Sequence, residues 1–306
     1  IRGALKNAVD IKRNAASGVD AVSAEDVGKF PDKNVAESLG RIPGVSVSGQ
    51  FGEGDAVSIR GASNQFTLTQ LNGQNVASSG WYSEQPDDRS FNYSMLPSEL
   101  IAGMEVHKSS QADLTEGGVG GTVNVKTRKP LDMDANSGVL SVKAAQASTA
   151  DTTDPEFSGM YSFKNDSETF GFLVAATSSE YNMVRRGFET TPTWNNYAAA
   201  TNFNTNKERQ AVNATLQFKP SDSMEFGLSY LDMSLQLNNV NAAVWLNGNP
   251  GPTDKPCQTN FQGVNNYCEH LKGADGPNFY DVRSRQAEMT SETLDAWFDI
   301  TFDDSA

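Results

Sequence analysis

The stretch EGGVGGTVNVKTRKP, residues 116–130, places four glycines beside an alternating run. A glycine-rich turn can cradle a phosphate through its backbone N–H groups when a helix N-terminus or a lysine faces the anion. Here Gly117, Gly118, Gly120 and Gly121 lead instead into a strand, Thr122 to Thr127, and then to Pro130. That order predicts positive φ angles and close approach of backbone to backbone, not anion binding. Cys257 and Cys268 lie eleven positions apart among Asn, Gly and Pro. They read as one local disulfide in an oxidising compartment, contributing about 3 kcal/mol in the chain-entropy model, or as two unrelated free thiols. The two histidines, His107 and His270, fall in different halves, and His107 sits in a strand pattern. No HExxH, nucleophile elbow or supported Cys–His spacing appears. Asp87-Asp88 reads as a solvated loop, and no metal-ligand cluster or EF-hand loop is present. No enzyme activity, metal or cofactor is expected.

The elements that carry these residues divide into two halves. The first, residues 1–130, reads as a compact α+β unit. Ser23 offers an N-cap with Asp26 three later, and Asn34 offers another for a short helix with Val35, Leu39 and Ile42 on one face. Pro43 and Gly44 stop that helix, and Val45 and Val47 begin a strand. DAVSIRGA is a further strand, and FTLTQLNGQNV is a hairpin turning at Asn72-Gly73. LPSELIAGMEVHKSS is a helical turn followed by a strand through Met104 and Val106.

The second half, residues 131–306, alternates with period two over long segments. One face carries Phe157, Tyr161 and Phe163, then Phe170, Phe172 and Val174. It continues through Val212, Leu216 and Phe218, through Phe226, Leu228 and Tyr230, and through Leu294, Phe298, Ile300 and Phe302. The other face carries Ser, Thr, Asn, Gln and acids. Such alternation means strands with one apolar and one polar face. Tight turns at 165–168 and 220–223 alternate with polar stretches at 181–206 and 238–286 that read as long loops. Aromatic residues gather at the short-turn end. This is the pattern of an outer-membrane barrel, and six strands are expected, the first at 137–147. A soluble β-sandwich also alternates, but gives no reason for alternating loop lengths. Six strands with open edges cannot span a bilayer, so most of such a barrel would lie outside this chain. The net charge of −14 disfavours nucleic acid as a partner. No apolar run reaches the roughly 20 residues of a membrane helix, a test that a barrel escapes.

The motifs NVAESLGRIPGVSV, VSIRGA, LNGQ, LPSELIAGMEVHKS and ADLTEGGVGGTVNVKTRKPLD follow the order of the plug domain in TonB-dependent outer-membrane receptors. DVGKFPDKNVAESL and EGGVGGTVN most resemble a proteobacterial sub-family linked to oligosaccharide uptake. The resemblance covers about the first 135 residues. It implies an α+β plug domain followed by the first antiparallel strands of a transmembrane β-barrel, with about 22 strands when complete. It also implies a bacterial outer-membrane location, with short turns towards the periplasm and long loops outside. The implied partners are TonB with its inner-membrane energising complex, outer-membrane lipid and a small ligand. The TonB box is not found in the chain and is expected before Ile1.

Carried onto this sequence, the resemblance makes Arg60 and Lys108 plug–barrel contacts, facing barrel carboxylates. It places 61–67 and 78–90 in plug loops. There Asn64, Gln65, Trp81, Tyr82, Asp87, Asp88 and Arg89 are candidate ligand contacts, a mixture of flat rings and polar arms suited to sugars. Trp194 and Trp245, in or beside the long loops, join them. The expected function is active transport of an oligosaccharide. The alternatives are an iron–siderophore receptor and, from another class, a non-transporting β-sandwich surface module. Acidic Glu84, Asp87 and Asp88 favour the neutral sugar over an anionic siderophore.

Overall fold

The computed structural model describes residues 11–13, 15, 18–23, 32, 34–49, 51–76, 80, 89–112, 114–191, 197–246, 258–259, 265–267 and 279–302. The first unit is built on a five-stranded mixed sheet. Its strands are β1 (Val19–Ser23), β4 (Thr67–Leu71), β5 (Gln74–Asn75), β6 (Ile101–His107) and β7 (Gly121–Thr127), in the order β1-β6-β7-β4-β5. A separate hairpin joins β2 (Val45–Ser48) to β3 (Ala56–Ile59). Helix α1 (Val35–Leu39) begins where Asn34 accepts hydrogen bonds from the Ala36 and Glu37 amides. It buries Val35, Ala36 and Leu39, an apolar stripe against the core. The turn between β4 and β5 holds both Asn72 and Gly73 at positive φ, as a type I′ hairpin turn requires. Ser23 ends β1, and the helix expected after it lies outside the described residues.

The glycine run behaves as a packing device. A Cβ on Gly118 would lie 2.4 Å from Thr122 Oγ1, and one on Gly121, at φ +142°, would lie 2.8 Å from the His107 carbonyl. Thr122 continues β7 and no helix follows.

After Thr127 a 3-10 turn, Pro130–Asp132, leads into six antiparallel strands. These are β8 (Ser137–Ala147), β9 (Thr152–Lys164), β10 (Phe170–Thr191), β11 (Tyr197–Ser221), β12 (Met224–Leu246) and β15 (Phe279–Ile300). Each pairs with its chain neighbour, β12 with β15 across an excursion containing the short β13 (Gln258–Thr259) and β14 (Asn265–Tyr267). The outward side is exposed and apolar near the short turns. Phe170, Phe218, Phe226 and Phe298 stand side by side in one cross-strand row, with Phe226 and Phe298 stacked 4.4 Å apart. Above them come the rows Phe172/Leu216/Leu228/Ala296 and Val174/Ala214/Tyr230/Leu294. An aromatic row topped by aliphatic rows is the lipid-facing belt of a barrel wall. No helix among the described residues is long and apolar enough to cross a membrane, which says nothing of strands.

The long polar loop expected at 181–206 is largely strand, and so are the described residues of the one expected at 238–286. β10 and β11 leave only residues 192–196 between them. Above the apolar belt the outward face becomes Glu180, Asn182, Asn206, Glu208 and Asn238, while the ladder continues. Hydrophobic alternation ends where the outward face turns polar, but backbone pairing does not depend on it. The polar sequence therefore concealed continuing strand.

Candidate functional site

The inner face of this wall packs the first unit, and two cross-strand rows carry the polar contacts. The upper row is Lys143–Glu156–Ser179–Arg209–Leu235–Met289, one inward residue from each of the six strands. Along it lies a strap formed by residues 92–99. Asn92 Nδ2 reaches Met289 Sδ at 3.9 Å, and Met95 packs with Leu235, Leu237 and Met289. The Ser94 carbonyl accepts from Arg209 Nε at 2.6 Å. Glu99 meets Lys143 Nζ at 3.1 Å, and the same ammonium holds Glu156 at 2.7 Å. Burial opposes charge on Glu99, but its hydrogen bond with Glu156 and the Lys143 ammonium outweigh this and hold its carboxyl below the usual range.

Glu53, on the loop between β2 and β3, completes the upper row. Its carboxylate pairs with the Arg209 guanidinium and lies 3.1 Å from Lys207 Nζ; Asn34 Nδ2 donates to it at 2.9 Å. The Glu53 side chain is 1% exposed and those of Lys207 and Arg209 5% and 8%. Burial alone would raise the Glu53 carboxyl; the Arg209 and Lys207 charges overcome that and lower it. A buried pair so arranged adds little net stability but costs several kcal/mol to half-break, about 3–5. Just before it, Phe51 packs against Phe203 of the wall at 5.7 Å, with the Arg185 guanidinium 4.5 Å from the Phe203 ring. Tyr181 donates its hydroxyl to the Gly52 carbonyl at 3.3 Å.

The lower row is Lys164–Gly171–Gln217–Gly227–Trp297. It clamps the exit segment 129–131. The Leu131 amide donates to Gln217 Oε1 at 3.0 Å, and Lys164 Nζ reaches the Leu131 carbonyl at 3.4 Å. Glu225 Oε1 collects Lys129 Nζ at 3.2 Å, Gln217 Nε2 at 2.8 Å and Trp297 Nε1 at 3.0 Å. Lys129 also sits 4.5 Å over the Trp297 ring. The two glycines make the space: a Cβ on Gly171 would press Pro130 at 3.0 Å, and one on Gly227 would enter the Trp297 ring at 1.9 Å.

The residues singled out in the sequence fall elsewhere. Lys108 bonds Asp20 and, at 2.5 Å, the Pro43 carbonyl; both partners lie in the first unit and not on the wall. Burial would raise Asp20, but Lys108 and Lys12 lower it. Arg60 is exposed at φ +55° and makes no hydrogen bond or ion pair with a wall strand among the described residues. Asn64 and Gln65 form a 3-10 turn whose Phe66 carbonyl accepts from Gly120. The Arg89 guanidinium lies beside Gly117, so Asn64, Gln65 and Arg89 flank one glycine loop. Trp245 is buried with Ala199 and Ala243 and presents no free ring to a ligand. Trp81, Tyr82, Asp87, Asp88, Trp194, Cys257 and Cys268 lie outside the described residues, as do Glu84 and His270. Sequence reasoning missed Glu53, Glu99, Lys207, Arg209, Glu225 and Trp297. Lys207 and Arg209 share the parity of the polar positions Asn213, Thr215 and Gln217, a signal missed because the strand pattern was read only from Val212. The sign is also the reverse of the expected one. In the upper row the first unit supplies carboxylates and the wall supplies cations.

Residues 11–122 match the model of the TonB-dependent Receptor Plug Domain. That part of the chain is a TonB-dependent receptor plug domain, and barrel strands follow it. No curated protein sequence matches the chain. Among solved structures, a mutant of the ferric enterobactin receptor PfeA from Pseudomonas aeruginosa, bound to enterobactin, aligns at 14% identity and TM-score 0.44, over 76% of this chain and 41% of that one. The siderophore receptor PirA from Acinetobacter baumannii aligns at 13% and 0.46, over 94% and 46%. The unliganded ferric citrate transporter FecA aligns at 15% and 0.46, over 78% and 44%. The chain thus spans less than half the length of these proteins.

Proposed function

We propose that the chain is the plug and opening wall of an energy-coupled importer in the bacterial outer membrane, a transporter and not an enzyme. In this reading TonB and its inner-membrane complex draw on the plug from the periplasm, and a small ligand enters from the long-strand end. The observation that carries it is the upper row. A plug strap crosses six strands, held by buried charges that suit a contact made to break. An iron chelate stands ahead of an oligosaccharide as cargo. Glu84, Asp87 and Asp88, which favoured a neutral sugar, lie outside the described residues, whereas the described inner wall carries arginines. The test uses the full-length receptor in its own cells. Uptake should require TonB and the proton gradient. It should also stop when Gly52→Cys and Met183→Cys are oxidised together, and return on reduction. Uptake indifferent to TonB would reject the reading, and growth lost on a single sugar but not under iron limitation would return the cargo to oligosaccharide.

A further inference from the structure

One ammonium serves two carboxyls where the strap ends. Lys143 and Glu156 stand opposite each other in the β8–β9 ladder, so the wall pairs them by itself. Glu99 arrives from the plug as a third ionisable group, on the same ammonium and in hydrogen-bond contact with Glu156. The side chains of Glu99 and Glu156 are 16% and 25% exposed. Two carboxylates held so close oppose each other's charge, and little water is left to screen them. A hydrogen bond between two carboxyl groups also needs a proton, because an ionised carboxylate only accepts. The surroundings supply no second cation. Arg209, further along the row, engages Glu53 and the Ser94 carbonyl. Asp154, two residues before Glu156 in β9, takes the amide and side chain of Asn182. Ser179 faces Glu156 from β10. On the plug side the Asp32 carbonyl accepts from Ser98, and the Asp32 carboxylate is held by Arg41 and Ser38. Among the described residues, Lys143 is the one cation paired with either carboxyl.

We propose that Glu99 and Glu156 hold one proton between them, taken up when the strap docks and released to water when it leaves. The docked trio is then an ammonium, a carboxylate and a carboxylic acid, and its charges sum to zero. With the strap gone, Lys143 and Glu156 remain a simple ion pair and no longer need the proton. The sign follows from linkage. The docked state binds the extra proton, so docking is favoured at lower pH and weakens as pH rises through the point where the docked pair gives it up. This is opposite in sign to the Glu53 contact on the same row. It makes the strap end sensitive to local acidity, whatever force draws on the plug.

The full-length receptor, purified in detergent, is followed by hydrogen exchange at residues 96–100, corrected for the chemical exchange rate at each pH. From about pH 4.5, just above the ordinary carboxylate range, to about pH 8, opening of the strap end should rise with pH. The slope is at most about tenfold per unit, the limit for one linked proton. Glu156→Gln offers an amide hydrogen in place of the shared proton, and should flatten the slope while the strap stays docked. Lys143→Gln removes the charge that eases the proton's departure, and should move the rise to higher pH. Infrared difference spectra give the direct signature, a carboxylic-acid C=O band that Glu156→Gln abolishes. Opening indifferent to pH in the wild type, a slope that persists in Glu156→Gln, or no such band would overturn the proposal. No step of the test uses uptake, so its failure would leave the importer reading standing, and uptake without TonB would leave this joint standing.

Discussion

The two rows that hold the plug are built on opposite principles. The upper row encloses ionised groups: Glu53, Lys207 and Arg209 are nearly sealed from water. The lower row shares hydrogen bonds around Glu225, with Lys129 38% exposed and Glu225 23%, and clears room with Gly171 and Gly227. A sealed ion pair is all or nothing, because removing one partner strands the other in a poor solvent. A half-exposed network with several donors loses one member cheaply, since water and neighbours substitute. The contrast suggests a strap that releases as a unit and an exit segment that stays attached while the plug moves.

The sharpest way to break this comparison is to remove one charge above. Glu53→Ala should destabilise plug docking by about 3–5 kcal/mol. The measurement is protease cutting within the plug of the full-length receptor. Replacing Lys207 and Arg209 by Met as well should recover much of the loss; no recovery would mean that shape and not charge holds the strap. Next in size is Gly227→Val, which forces Trp297 off its seat at a cost of about 1–3 kcal/mol. Its signature is a red-shifted tryptophan emission, and an unchanged spectrum would contradict the seating described. Lys129→Gln should cost under about 1 kcal/mol, visible as a small shift in urea midpoint. A loss equal to that of Glu53→Ala would erase the distinction between the rows.

The smallest effect is in pH, and Glu53 and Asp132 differ in sign. Glu53 is lowered, so its stabilisation is present above the ordinary carboxylate range and is lost as acid protonates it. Burial raises Asp132 beside the exit segment, so its contribution is present at low pH and fades as pH rises through its folded value. Acid below the ordinary carboxylate range should loosen the Glu53 contact and the strap beside it, while Asp132 gains a favourable term there. Hydrogen exchange at residues 92–99 and 129–132 between pH 7 and about pH 3 tests the order, and simultaneous loosening would count against it.

Much of this architecture was legible from local rules. Asn34 capped its helix, Asn72-Gly73 made its turn, and the strand expected at 137–147 is β8. The outward faces of Val212 to Phe218 and Phe226 to Tyr230 followed from parity alone. The site was not legible, because it is a property of register. Glu99 and Lys143 are far apart in sequence, and only the ladder Lys143–Glu156–Ser179–Arg209 brings their row together with Glu53. Lys108 shows the complementary failure. A lysine expected to face the wall found Asp20, one strand away in its own sheet, because a cross-strand neighbour is closer than any barrel residue.

The length of the wall strands has a consequence of its own. β11 runs Tyr197–Ser221, 25 residues, whereas crossing a bilayer takes about 9–11. At about 3.3 Å per residue and the usual tilt, the surplus stands roughly 30–40 Å clear of the lipid. What stands there is a stiff hydrogen-bonded palisade, and the plug follows it upwards as far as the Phe51–Phe203 contact.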